Sequence, residues 1–233
     1  MKIGFSPAGI STSTGTGTMA GGGTPFLGGV GQPHPMAVLL FGKRPAPLVD
    51  KRKYPKLTKA LRKLKSLKDQ VGEMAGMGED DGGVDLSEGR NASIGRDGRI
   101  RFGLELLEES EDDDDFLVAV VGHEIGHQPW TWPEHNMAGM TKRDLDALYR
   151  EEEAKADRFA GRALAELGAD PDSICDFLIS TERFEAHKPS DYYPAEVRAE
   201  MIRDAYGRRL KALQRPKLVL PGMAGRSRAR DLR

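Results

Sequence analysis

One stretch constrains this chain more than any other. The acidic run Glu111–Asp115 leads into Phe116-Leu117-Val118-Ala119-Val120-Val121, then Gly122-His123-Glu124-Ile125-Gly126-His127-Gln128, and Pro129 closes it. Carboxylates at a helix start accept from its orphan N–H groups and oppose the positive end of its dipole. Proline lacks a donor and disfavours helix in the residue before it. The pattern therefore predicts a helix that opens in the acidic run and ends near Gln128. Because it is apolar on nearly every side, it is expected to lie inside a core. Calcium binding is the alternative reading of the acidic run.

This helix carries His123-Glu124-Ile125-Gly126-His127. Positions i and i+4 share one helical face, so both imidazoles can reach one metal ion, with Glu124 beside it. Zinc lowers the pKa of its bound water to about 7, and a neighbouring carboxylate can take the proton. The rival reading, two core histidines with Glu124 paired to a base, buries a carboxylate at considerable cost. A catalytic zinc needs a third protein ligand and an open fourth position. The metzincin pattern requires Gly at 130 and His at 133; Trp130 and Pro133 exclude it. His135 lies in a Trp/Pro loop at the wrong spacing. A better candidate is Glu153 in Glu151-Glu152-Glu153-Ala154-Lys155-Ala156-Asp157, with Glu152 as its neighbouring alternative. Glu153 and Asp157 are four apart on one face, so Glu153 can ligate while Asp157 orients a ligating imidazole. Three successive glutamates also suit a solvated face. Ala154, Ala156, Phe159 and Ala160 favour a packed one.

The 233 residues suffice for one domain with extensions. Lys and Arg total 35 against 36 Asp and Glu, which argues against a generally basic nucleic-acid binder. The single cysteine, Cys175, excludes a disulfide framework and a Cys-rich zinc finger, and it suits a reducing compartment. No apolar run approaches the roughly 20 residues of a membrane span, and no secretory signal is legible. The expected location is cytoplasmic, or reached by delivery or export without a cleaved signal peptide. Residues 1–50 are rich in Gly, Thr, Ser and Pro and read as a flexible extension, with Met36–Gly42 as its one apolar patch. Residues 51–215 read as the folded domain and 216–233 as a basic tail. Leu57, Leu61, Leu64, Leu67 and Val71 recur at helical spacing in a segment where nine of eighteen residues, Lys51–Lys68, are basic. Residues 72–89 read as an irregular acidic connection. Asn91–Leu107 reads as a hairpin or small sheet: Gly95-Arg96-Asp97-Gly98 has turn chemistry, and Arg99-Ile100-Arg101-Phe102 alternates like a half-buried strand. Further helices are expected over 142–167, stopped by Gly168, and around 171–182 and 194–214.

Four blocks in this order resemble the gluzincin metallopeptidases of the HtpX and CAAX-prenyl-endopeptidase type, including their soluble minigluzincin relatives. Asn91-Ala92 with Gly98-Arg99-Ile100 and Gly103-Leu104 is similar to the edge-strand block. Val120–His127 is similar to the zinc helix, and Glu153–Asp157 to the E-x-x-A-D block. His187, Pro189, Ser190 and Arg198 resemble the later His-Pro-Ser…Arg block, although Lys188 separates His187 from Pro189. The likeness spans residues 52–212 and implies an α+β, mainly helical zincin-type domain with a small sheet and an edge strand at the cleft. It implies that His123, His127 and Glu153 bind Zn2+, that Glu124 is general base and acid, and that Asp157 supports the ligands. It further implies that Arg99, Ile100, Arg101, Phe102 and Gly103 form an edge strand taking a peptide by strand addition. His187 is implied to stabilise the oxyanion, a role Tyr192 or Tyr193 can also fill, with Arg198 holding that region in place.

The expectation is thus a zinc-dependent endopeptidase acting on a protein or peptide, with no nucleic-acid partner and no transmembrane segment. Two alternatives stand beside it. One is a packaged or secreted protease effector, with a secretion or packaging partner reading the N-terminal extension. The other is a non-enzymatic module that binds through the basic 51–68 helix. A latent form, with the Lys217–Pro221 segment or Met36–Gly42 added as a strand in the cleft, is a further expectation.

Overall fold

The computed structural model describes residues 35–41, 45–78, 81–132, 137, 139–184 and 192–215. The order of elements is α1 (Pro35–Phe41), α2 (Thr58–Met74), β1 (Gly83–Ser87), β2 (Ala92–Ile94), β3 (Arg99–Gly103), α3 (Leu104–Ser110), α4 (Asp114–Gly126), α5 (Lys142–Leu167), α6 (Asp172–Phe184) and α7 (Ala195–Leu213). The chain is mainly helical with a small mixed sheet, an α+β arrangement. No helix among the described residues is long and apolar enough to cross a membrane. The expected tail 216–233 and the Lys217–Pro221 strand lie outside the described residues.

The predicted buried helix is α4. Asp113 caps it by accepting from the Phe116 N–H at 2.9 Å, and Phe116–Gly122 and Glu124–Gly126 are buried without interruption. The acidic run therefore works as a helix start. Asp113 also accepts from Ser173 Oγ, and Asp114 pairs with Lys63. Helix α5 begins with a capping box between Thr141 and Asp144 and ends at Gly168, whose φ of 68° suits glycine. Helix α2 packs through Leu64 and Val71, with its N-cap Leu57 also buried, while Lys59, Arg62 and Lys65 face solvent.

Helices α4 and α5 cross along a seam of small residues. A Cβ added to Gly126 would sit 2.8 Å from Ala156 Cα and from Phe159 Cβ; at Gly122 it would sit 3.1 Å from Ala160 Cα. A second close approach joins α5 to α7, where a Cβ on Gly161 would lie 2.3 Å from the Ile202 carbonyl oxygen. Both contacts are backbone-limited, so the axes would have to separate to admit a methyl group. Gly126→Ala is expected to destabilise the fold by about 1–3 kcal/mol, as overpacked sites do. A urea midpoint equal to that of wild type would show that the seam can relax.

The sheet has the order β1-β3-β2. β3 pairs in parallel with β1, Ile100 opposite Val84, and antiparallel with β2, Ile100 opposite Ile94. Two expectations change here. Residues 72–89 are not an irregular connection throughout, because Gly83–Ser87 forms β1 with Val84 and Leu86 buried. More important, Arg99–Gly103 is the central strand rather than an edge. Its backbone donors and acceptors already serve two neighbours, so it has no free side for a peptide. The outer side of β1 is also taken over part of its length: the Val49 N–H donates to the Leu86 carbonyl at 2.8 Å, and the Glu88 N–H to Pro47. Among the described residues no strand pairs with the outer side of β2, which packs against α4.

Part of the segment expected as a flexible extension is ordered. Pro35–Phe41 forms α1, a helix and not an added strand, with Met36 and Leu40 buried. Residues 1–34 lie outside the described residues.

Candidate metal centre

The α4–α5 seam sets where the site's side chains meet. His123 and His127 leave α4 on the side facing α5, and their rings stand edge to face at 4.9 Å. From α5, Glu153 reaches both: its Oε2 is 3.3 Å from His123 Nε2, and its Oε1 is 3.8 Å from His127 Nε2. One ligand atom from each of His123, His127 and Glu153 falls within 4.8 Å of the others. Among the described residues this is the one His/Cys/Asp/Glu group close enough to hold a metal ion, so the acidic run forms no such cluster. Of the three successive glutamates, Glu153 is buried while Glu151 is exposed.

Asp157, one turn further along α5, takes the other nitrogen of His123: Nδ1 to Oδ1 is 3.0 Å. That contact leaves Nε2 facing Glu153 and His127. Arg198 from α7 then ties both carboxylates down. Its Nε and Nη2 donate to Asp157 at 2.7 and 2.8 Å, and Nη2 donates to Glu153 at 3.4 Å. Asp157 is 1% exposed and Arg198 8%. A buried guanidinium bridging two carboxylates fixes their orientation as well as their charge.

Electrostatics follow from that packing. Burial alone would lower the His123 pKa, but hydrogen bonds to Asp157 and Glu153 outweigh it and raise it to about 10. At His127 burial outweighs the opposing pull of Glu153 and lowers the pKa to about 3. Burial would raise Glu153 and Asp157; His123 and Arg198 hold both below the ordinary carboxylate range. Glu124 is different. It is 2% exposed, its Oε2 has no hydrogen-bond partner, and burial raises its pKa to about 7. A cavity of about 20 Å³, room for one water, lies against Glu124, His123, Asp157 and Arg198.

A pH dependence follows for the metal-free chain. The His123 pKa is raised, so its ion pairs stabilise the fold fully below the ordinary histidine pKa and lose that contribution as pH rises through about 10. A cation at Nε2 must displace that proton, whereas His127 and Glu153 have none to lose near neutrality. Metal affinity is expected to rise about tenfold per pH unit between roughly pH 7 and 9, with about one proton released. Chelator competition across this range measures the slope; a slope near zero or two contradicts the assignment.

The remaining expected residues fall elsewhere. His187 and His135 lie outside the described residues. Tyr193 donates to Glu151 at 2.8 Å, on the exposed side of α5. Tyr192 stacks on Arg198, with the guanidinium carbon 5.2 Å from its ring centre. Among the residues that position the site, Gly122 and Gly126 had a signal in the matching alanines on α5, and Gly161 had one in Ala205 on α7. In comparisons with protein-family models, curated proteins and solved structures, the chain gives no significant match.

Proposed function

We propose that this chain is a zinc-dependent endopeptidase of gluzincin type. The observation that carries the reading is the convergence of His123 Nε2, His127 Nε2 and Glu153 beside a buried, unpartnered Glu124 carboxylate oxygen. The donor set fits zinc. Ligand atoms about 2.0–2.2 Å from a tetrahedral zinc stand about 3.3–3.6 Å apart, close to the 3.3 and 3.8 Å separations here. Two imidazoles and one carboxylate also match a catalytic site that keeps a fourth position open.

His123, His127 and Glu153 would hold the ion. When bound, zinc supplies a Lewis acid that polarises a peptide carbonyl and lowers the pKa of water. The chain's own residues do the rest. Asp157 accepts from His123 Nδ1–H and so leaves Nε2 as the nitrogen that would exchange its proton for a cation. Arg198 fixes Asp157 and Glu153 together. Glu124 accepts a proton from the attacking water and passes it to the leaving amine. The substrate strand would then be β2 rather than Arg99–Gly103: Ala92–Ile94 lies next to α4, and among the described residues no strand pairs with its outer side, where an extended peptide can add.

The deciding experiment profiles a peptide library with zinc-loaded wild type and Glu124→Gln. Zinc-dependent cleavage by wild type alone is the expected result. Absence of cleavage by the zinc-loaded wild type, or equal cleavage by both proteins, would sink the reading.

A further inference from the structure

Beside the metal centre lies a second cluster, separate from the main core. Trp132, Tyr149 and Tyr192 form its walls with Leu148, and Met36 and Leu40 of α1 fill it. Hydrogen bonds that do not involve α1 tie the walls to the rest of the fold. Trp132 Nε1–H donates to the His127 carbonyl at 3.0 Å. The Tyr149 and Tyr192 hydroxyls bond to each other, and their rings meet edge to face at 5.0 Å. Arg198 backs the Tyr192 ring. Tyr149 lies one turn before Glu153 on α5, so wall and metal centre are neighbours on one helix face.

The occupant is much less firmly built than the walls. α1 has seven residues, below the length at which a helix holds itself in water, so its helicity depends on docking. Its two buried anchors stand four residues apart, the spacing of one helical face. The main hydrophobic cluster contains neither anchor. Detaching α1 would therefore leave the core intact and expose a contiguous aromatic patch, the kind of surface that marks a binding site.

We propose that the Trp132–Tyr149–Tyr192 cup is a recognition site for an amphipathic helix presenting two aliphatic side chains four apart, and that α1 is its exchangeable occupant in cis. The proposal stands apart from peptide hydrolysis and is tested without it. In the full chain, residues 42–44 are replaced by a specific protease site, and the folded protein is cut there. A labelled peptide copying residues 33–43 is then titrated into cut and uncut protein, alongside a version with serine at positions 36 and 40. The cut chain is expected to bind the peptide saturably, at least about tenfold more tightly than the uncut chain and than it binds the serine peptide. As a second variant, uncut Met36→Ser/Leu40→Ser is expected to bind the wild-type peptide like the cut chain. Equal binding of both peptides, or no binding to the opened protein, overturns the proposal. So does loss of the main domain's helical circular dichroism on cutting, which would make α1 an integral part of the fold.

Discussion

Glu124→Gln is expected to keep its metal and to lose about 10²–10⁴-fold in peptide hydrolysis, the usual contribution of a positioned general base. The amide matches the carboxylate in size but accepts no proton. Metal content measured on the same preparation separates lost chemistry from lost zinc: an inactive variant without metal would instead make Glu124 a support for the site. The variant also has a stability signature. In the metal-free chain, the raised Glu124 pKa means that ionising this buried carboxyl opposes folding. Stability on its account is full below the ordinary carboxylate range and is lost as pH rises through about 7. Glutamine removes that term, so the stability of metal-free Glu124→Gln relative to wild type should improve between pH 5 and pH 8. A constant difference in urea midpoint across that range would contradict the buried, unpartnered carboxylate.

Arg198→Met is expected to have the largest effect on stability. It leaves Asp157 and Glu153 buried without their guanidinium, and removing one partner of a buried ion pair costs about 3–5 kcal/mol. The loss should be greatest in metal-free protein and smaller with zinc bound, since the ion balances part of the same negative charge. Asp157 has a lowered pKa, so its contribution is present near neutrality and disappears as pH falls through its folded-state value, below the ordinary carboxylate range. In Arg198→Met this acid-sensitive contribution should shrink. Denaturant titrations of both proteins, with and without zinc, from pH 3 to 7 test each part. Equal losses with and without metal would detach Arg198 from the metal centre.

Much of the site was legible because the information is local. The His123/His127 pair and the Glu153/Asp157 pair each sit one helical turn apart on their own helix. Asp113, Thr141 and Gly168 mark helix ends through contacts within a few residues. The sheet was less legible. β2 and β3 form the expected hairpin, but Arg99–Gly103 becomes central only because β1 arrives in parallel from the other side. Nothing within Arg99–Phe102 distinguishes one neighbour from two, since its alternation reports burial by face and not pairing by edge. The apolar Met36–Phe41 stretch was visible, but a short apolar run does not by itself choose helix or strand. Contact with Trp132 and Tyr149 decides it here.

By itself, then, the sequence determined the buried helix, its caps and the residue types able to hold a metal, because each depends on spacing along one chain segment. Only the tertiary structure decided which glutamate meets both histidines, that Arg198 locks Glu153 and Asp157, and that Arg99–Gly103 lies between two strands. Those outcomes depend on how closely two helices approach and on which strands arrive beside one another. Here Gly122, Gly126 and Gly161 set the helix approach through the volume their missing side chains leave.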